Sequence, residues 1–569
     1  MNKPLKYGLL GLGGLVVLLI AAAAIFAATF NPNRYKPDIE RLAKEQTGRT
    51  LAIKGDIKMA FWPSLGAEVS GVTLSERAAN QQFLAFDSAH ASIKLMPLLH
   101  GEYIVDALKL SGLKAHIVKG KDGRFNFSDL MEGDKKPAPA KKGPEGKSAP
   151  VVFDVSSINI EHASITYTDL AAGQEYALED LKLKTGRIAQ DAEGKLEFAA
   201  VAKQKTPPLQ AKLAVDGKYR LTGGKLSGDV TARLDDSTIK AKFTAAEPYE
   251  LDASIDKINL DRYLGGEQPA KQVSQKKESE SADTPVDLSA LKGINAKGKL
   301  QIGALEVRGL KLAEVNAQFK ADKGHVTIAP HSAKLYEGTI AGDLTVDANR
   351  NAIALKENLN GVAIGPLLRD FAKQDKLEGH GNVGIDVTTA GATVNAMKHS
   401  LNGTAKVNLR DGAIKGVNVA EIIQRARTAL GSQSAAQGAS DKSRQTDFTE
   451  LNASFTIKNG VAHNEDLDAK APLFRLGGAG DINIGASSLN YVAKASVVAT
   501  TQGQGGAERD RLAGLTVPVK LSGPFDDMKY EVDYRAVAGD AAKSQAGQKL
   551  QERLKDEKLG EKLKGLLKR

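Results

Sequence analysis

The stretch Leu401-Asn402-Gly403-Thr404-Ala405-Lys406-Val407-Asn408-Leu409-Arg410 opens a block, running to Val498, in which alternate residues are apolar. Ala405, Val407 and Leu409 are followed by Leu451, Ala453, Phe455 and Ile457. Ile482 and Ile484 come next, then Leu489, Tyr491, Ala493, Ala495 and Val497. A period of two puts these side chains on one face of a strand, with Lys406, Asn408, Asn452, Ser454, Thr456, Asn483 and Asn490 on the other. Arg410-Asp411-Gly412, Lys458-Asn459-Gly460 and Gly477-Gly478 carry turn chemistry between the runs. The block predicts antiparallel sheet with one apolar face, and no pocketed enzyme core.

The same alternation extends through most of the chain. Leu209, Ala211, Leu213 and Val215 show it, as do Ile340, Gly342, Leu344 and Val346, and Val383, Ile385 and Val387. The candidate residues lining the apolar face are Leu213, Val215, Leu344, Val346, Ile385, Val407, Leu409, Phe455, Ile457, Ile482, Ile484, Tyr491 and Val497. Short helices are expected at Asp38–Thr47, which Gly48 ends, at Met96–Leu99 after the break Phe61-Trp62-Pro63, and at Pro366–Phe371. In the first of these, Ile39, Leu42 and Ala43 form an apolar stripe.

Composition bounds the chemistry. Among 569 residues only 5% are aromatic, whereas compact cores lean on aromatic side chains for buried area. A one-faced sheet of Leu, Val, Ile and Ala can do without them. The chain has no cysteine, which removes disulfides, thiolate catalysis and Cys-ligated zinc, and fits an oxidising compartment. The net charge of +10 is spread out, without interleaved aromatics, so it reads as a solvated surface with some attraction to anionic headgroups. Nucleic acid is not an expected partner.

Residues 1–6 form a short basic head, expected to be cytoplasmic. Tyr7 to Phe30 then carries no charge. As a helix this stretch reaches about 36 Å, enough to span a hydrocarbon core of about 30 Å. It is longer than the apolar part of a cleaved signal peptide. A retained transmembrane anchor is therefore expected over 7–30, with Tyr7, Leu18, Phe26 and Phe30 among its membrane residues. The β regions are predicted at 31–131, 151–264, 285–430 (with short helices) and 447–538. A flexible linker at 132–150, a disordered one at 265–284 and a polar loop at 431–446 separate them. Residues 539–569 place Leu550, Leu554, Leu559, Leu563, Leu566 and Leu567 among charges, a basic amphipathic helix.

Several fragments imitate catalytic motifs. Gly379-His380-Gly381-Asn382-Val383-Gly384 matches GxGxxG, but the alternation after it predicts a strand where a dinucleotide fold needs a helix. Gly293 to Lys299 begins like a phosphate loop, with Leu300 where Ser or Thr must meet magnesium. The nine histidines lack metal-ligand spacing. No catalytic residue, metal or cofactor is expected.

The ordered set of short pieces resembles the AsmA family of envelope proteins from Gram-negative bacteria. After the uncharged stretch come Leu42-Ala43-Lys44-Glu45-Gln46-Thr47-Gly48-Arg49 and Phe61-Trp62-Pro63-Ser64-Leu65-Gly66. Gly123-Arg124-Phe125-Asn126-Phe127-Ser128-Asp129-Leu130 and Leu335-Tyr336-Glu337-Gly338-Thr339-Ile340-Ala341-Gly342 follow. Leu401-Asn402-Gly403-Thr404-Ala405, Asp411-Gly412-Ala413-Ile414-Lys415-Gly416 and Pro518-Val519-Lys520-Leu521-Ser522-Gly523-Pro524-Phe525 complete it. The resemblance implies a single-pass inner-membrane anchor and a periplasmic body. It also implies a long twisted, mostly antiparallel sheet folded into an elongated apolar groove, similar to bridge-like lipid-transfer proteins. The implied function is outer-membrane biogenesis through phospholipid transport between inner and outer membrane. Its alternative is a non-catalytic scaffold affecting outer-membrane protein insertion. Phospholipid, the inner membrane and outer-membrane or other envelope proteins are the implied partners.

The residues alone lead to a compatible mechanism. A one-faced sheet must hide its apolar side against a second sheet, helices or a ligand. Acyl chains laid along that face would gain about 0.8 kcal/mol per CH₂ removed from water, with no polar pocket required. A filled sandwich is the competing architecture.

Overall fold

The computed structural model describes residues 30–131 except 78, 101 and 103; 154–263; 284–416, 418, 419 and 421; 437–439; 445–497 except 473; and 516–533 except 526. The expected anchor (apart from Phe30), the 132–150 linker, the C-terminal helix, most of the polar loop and all but one residue of the 265–284 linker lie outside them. Among the described residues no helix is long and apolar enough to cross a membrane.

The protein is mainly β. Its chain divides at residues 256 and 257 into two units. Unit 1 holds β1 (Leu51–Ile53), β2 (Ile57–Ala60), β3 (Ser64–Ser75), β4 (Gln82–Lys94), β5 (Ile104–Ser111), β6 (Lys114–Lys119), β7 (Asp154–Val155), β8 (Ile158–Asp169), β9 (Gln174–Thr185), β10 (Ile188–Ala189), β11 (Glu193–Gln204), β12 (Leu209–Thr222), β13 (Lys225–Leu234), β14 (Ser237–Ala245) and most of β15 (Tyr249–Asn259). Unit 2 holds β16 (Ala296–Val307), β17 (Leu310–Asp322), β18 (His325–Leu335), β19 (Gly338–Asp347), β20 (Ala352–Ala363), β21 (His380–Ala390), β22 (Asn402–Lys415), β23 (Gln437–Ala439), β24 (Gln445–Lys458), β25 (Val461–Lys470), β26 (Phe474–Asn483), β27 (Ser488–Val497), β28 (Thr516–Pro524) and β29 (Lys529–Val532). The α-helices are short: α1 (Lys36–Thr47), α2 (Leu95–Leu99), α3 (Ser128–Met131), α4 (Ile364–Ala372) and α5 (Val394–His399). Three sit where expected, and Gly48 ends α1 in the left-handed region at φ 68°.

In unit 1 β1 and β2 both pair antiparallel with β3, β3 with β4, β4 with β5 and β6, β7 with β10, and β8, β9, β11, β12, β13, β14 and β15 follow one another antiparallel; the remaining pairings are parallel. β5 and β6 lie parallel to β8, and β5 lies parallel to β7. Parallel neighbours need a crossover rather than a hairpin, and the described residues 120–131 begin the one that leads from β6 to β8. That crossover is clamped at its start. The Arg49 side chain, wholly buried, donates from Nε and Nη2 to the two Asp129 carboxylate oxygens at 3.0 and 2.7 Å. Nη2 also reaches the Asn126 carbonyl at 2.6 Å, Nη1 reaches the Ser75 carbonyl at 3.1 Å, and the Phe83 ring lies 4.8 Å away. Two of the family-like sequence pieces, 77 to 80 residues apart, thus meet in one salt-bridged knot. The Arg49 guanidinium holds the Asp129 carboxyl below the usual carboxylate range.

Unit 2 is a sequential antiparallel meander, with one departure. β24 pairs with β22, while the intervening β23 pairs with β29. The departure gives β29 a partner on its second side, the kind of cover that blunts an open sheet edge.

The expected turn at Lys458-Asn459-Gly460 is a tight hairpin, both central residues having positive φ. Two other expected turns are not turns. Asp411 and Gly412 continue β22, with Asp411 kinked to φ 48°. Gly477 and Gly478 lie inside β26, and a Cβ on Gly478 would stand 2.6 Å from Cε1 of Tyr491, so glycine there makes room for a ring. Ile484 falls beyond β26, in the turn that follows it, not on a strand.

Candidate functional site

The strand registers align the alternating residues into continuous apolar rows. In unit 1 one row runs Phe198, Val215, Ala232, Ile239, Ile255 across β11 to β15. In unit 2 a row runs Phe319, Ile328, Leu344, Leu355, Val387 across β17 to β21. The opposite faces carry cross-strand ion pairs such as Lys203–Glu179 at 2.6 Å and Lys218–Glu193 at 3.0 Å. Exposed pairs of this kind add little stability. They keep one face wet and so fix which face is apolar.

The apolar face is sealed to different degrees along its course. A small core in unit 1 gathers Ala163, Leu181 and Ala200, with Ile160, Ile165, Leu178 and Phe198 against it. Beyond it, every inward apolar residue of β13, β14 and β15 is at least partly exposed, and Leu226 and Leu251 are open to solvent. In unit 2 a larger core occupies one end of the strands, taking in Leu359, Val362, Leu409, Leu451, Phe474 and Val517 among others. Ile364, Leu367 and Leu368 of α4 pack into it. Towards the other end of the same strands Ile353, Leu355, Leu344, Val346 and Ile385 are only half-buried.

Polar groups mark the changeover. On β20 the inward residues are Ile353, Leu355, Glu357, Leu359 and, past a register shift, Val362, and only the last two belong to the filled core. Glu357 is buried, and its Oε1 lies 2.7 Å from His331 Nε2 on β18. The two reach over β19 at Gly342, where a Cβ would stand 2.6 Å from Glu357 Oε2. His331 Nδ1 faces the Ile328 carbonyl at 3.2 Å, so Nδ1 donates there and a single proton is shared between Nε2 and Oε1. Burial pushes the Glu357 carboxyl up, against the pull of His331, and Oε2 has no hydrogen-bond partner among the described residues. A second polar pair stands on β25 and β27. Tyr491 donates its hydroxyl to Asn464 Oδ1, and Asn464 Nδ2 donates to the Ser454 carbonyl at 2.8 Å. Burial pushes the Tyr491 hydroxyl well above its ordinary value.

The sequence-derived lining residues therefore divide. Leu213, Val215, Leu344, Val346, Ile385, Phe455 and Ile482 are half-buried on the strands, and Ile484 is half-buried in its turn. Leu409, Ile457 and Tyr491 are buried, and Val407 packs against the filled core. The Val497 side chain lies outside the described residues, as do Tyr7, Leu18 and Phe26. The His331–Glu357 pair carried no sequence signal, since a lone His and a lone Glu on separate strands look like surface residues.

Elsewhere, Thr345, Asp347, Arg350, Thr388 and Asn402 help to line a shallow concavity of about 600 Å³ at one end of β19 to β22. Asp347 is held there by Arg350 Nε at 2.5 Å. Among the described residues, neither this concavity nor the apolar rows bring together a nucleophile, a base and an orienting group. What the rows offer chemically is contact area for hydrocarbon.

A sequence model of the AsmA family matches residues 1–239 and 230–467. Protein AsmA of Escherichia coli strain K12 is 22% identical over 617 aligned residues, covering 97% of this chain and 98% of that protein. No solved structure matches.

Proposed function

The chain belongs to the AsmA family, and from that premise we propose that it is an inner-membrane-anchored periplasmic protein that carries phospholipid along its apolar sheet faces. Family membership and similarity to protein AsmA over nearly the whole chain support a role in the cell envelope, in outer-membrane biogenesis. The anchor reading rests on the uncharged stretch Tyr7–Phe30.

One observation carries the lipid reading. The inward rows of β13 to β15, and the outer half of β19 to β21, are continuous and apolar yet stay partly exposed. An apolar face that the described residues leave unsealed offers that area to a ligand. Acyl chains suit it, because a row of Leu, Val, Ile and Ala offers no directional contacts and each CH₂ gains about 0.8 kcal/mol on leaving water. Glycerophosphate headgroups would remain outside, in water, so that no charged group need cross the face.

The test is photocrosslinking in living cells. A photoreactive residue at Leu251 or Leu344 should capture phospholipid, and one at the outward Lys212 or Lys356 should not. Equal capture at inward and outward positions would end the proposal.

A further inference from the structure

One inward row of unit 2 is bridged twice in the same way. His331, Gly342 and Glu357 stand side by side on β18, β19 and β20, and the row runs on through Ile385, Ala405 and Phe455. Past a register shift it reaches Asn464, Gly480 and Tyr491 on β25, β26 and β27. Each triplet sets a glycine between two polar side chains that hydrogen-bond over it. A Cβ on Gly342 would stand 2.6 Å from Glu357 Oε2, and one on Gly480 2.9 Å from Tyr491 Cδ2, so both bridges need the glycine. They differ in one respect. Asn464 does not titrate, and burial holds the Tyr491 hydroxyl well above its ordinary value. An imidazole facing a buried carboxyl exchanges protons in the range around neutrality.

The titratable bridge borders the open part of the apolar face. Leu355 lies two residues from Glu357 on β20, Leu344 lies two residues from Gly342 on β19, and Ile385 stands opposite Glu357 on β21; all three are half-buried. The Glu357 side chain keeps 8% of its exposure and His331 19%, so the last water contact of the pair is mainly through His331. With Nδ1 donating to the Ile328 carbonyl, the pair is neutral while it holds the proton between Nε2 and Oε1. Once that proton passes to solvent, one negative charge stays behind. Burial pushes the Glu357 carboxyl up, His331 of β18 pulls it down, and Asp343 of β19 pushes it up. The other neighbouring strands present apolar residues, Ile385 of β21 opposite Glu357 and Ala317 of β17 opposite His331.

We propose that hydrocarbon and a proton bind unit 2 together, with the His331–Glu357 bridge as the proton site. Lipid laid over Leu344 and Leu355 removes water from the inward face, and an ionised pair beside it loses its solvation. That penalty favours the form that holds the proton. Linkage makes the effect reciprocal: when the pair releases its proton to solvent, the face next to it carries a charge and its hold on hydrocarbon weakens. A bridge such as Asn464–Tyr491 ties three strands together equally well and cannot do this. The inference rests on the lipid reading and adds to it a control of loading and release.

The experiment reconstitutes the full chain, with a photoreactive residue at Leu344, into phosphatidylethanolamine/phosphatidylglycerol vesicles. Capture of phospholipid is followed as pH rises from about 6 to about 9. It should fall about tenfold, because a one-unit shift of the pair's titration on loading is a tenfold change in affinity. A second protein with the photoreactive residue at Leu251, in unit 1, is the reference and should show no such fall. In Glu357→Gln, and in His331→Leu with Glu357→Leu, capture at Leu344 should stay level with pH. The double variant exchanges the pair for side chains that need no hydrogen bond, so the test survives a misfolded Glu357→Gln. Level capture at Leu344 in the wild type overturns the proton link and leaves the lipid reading standing, and so does an equal fall at Leu251. A fall that persists in a folded variant overturns the bridge as the proton site. Absence of capture at both positions at every pH overturns the lipid reading and the link together.

Discussion

The filled end of unit 2 and the β12–β15 face of unit 1 are written in the same sequence pattern and end differently. Both alternate apolar and polar residues, and both align them into rows. In unit 2 the rows meet further apolar chain: Ile364, Leu367 and Leu368 of α4, Val419, and Tyr530 and Val532 at the last strand. Among the described residues β13 to β15 of unit 1 meet no such cover, and their inward apolar side chains stay in partial contact with solvent. Alternation therefore specifies which face is apolar but not what covers it. That is decided by the connections: a short helix after β20 closes one region, while tight hairpins leave the other open.

The sharpest way to break this contrast is to place a charge in each region. Leu409→Asp buries an unpaired carboxylate in the filled core, where such a charge costs several kcal/mol, and circular dichroism should show unit 2 unfolded. Val230→Asp on β13 should leave a folded protein that no longer retains lipid. If both variants unfold, the open region is a sealed core after all. Arg49→Ala strands Asp129 and Glu76 and should cost about 3–5 kcal/mol, read as a lower urea midpoint. Truncation sharpens the comparison further: Leu409→Ala should cost about 2–5 kcal/mol, and Leu251→Ala, already exposed, under about 0.5 kcal/mol.

Glu357 gives a smaller, pH-dependent effect. Its carboxyl titrates higher in the folded state than in the unfolded chain, so the native state binds more protons through that window. Stability from this site is accordingly present below the unfolded carboxylate range and is lost as pH rises through the folded value. Glu357→Gln removes that loss, and its urea midpoint should equal or exceed wild type at pH 7 and converge with it in acid. A large drop at pH 7 would mean that the ionised pair stabilises the fold. Smallest of all should be deletion of residues 265–283. The lipid reading expects nearly full function in an outer-membrane permeability assay, and lost function would favour a scaffold that docks partners there.

Much of the fold was legible locally. Period-two alternation gave the strands and their apolar side, Asn459-Gly460 gave a hairpin, and Gly48 gave the end of α1. What failed were signals whose meaning depends on a distant partner. Gly477-Gly478 has turn composition, yet those residues are strand because the Tyr491 ring lies over them. Nothing local couples Arg49 to Asp129; only the fold brings the two family-like pieces together. The candidate site was legible as a face and not as a boundary. Val407 and Leu409 alternate just as Leu344 and Val346 do, and only the packing of the filled core separates them.

The most direct measurement is mass spectrometry of lipid bound to residues 31–569, purified from the periplasm without detergent. The matched control is the double variant Leu213→Glu with Leu344→Glu, one charge on the half-buried face of each unit and neither in the buried set of a core. The lipid-carrier account predicts phospholipid on the wild type and none on the folded variant. A well-folded wild type free of lipid would contradict it.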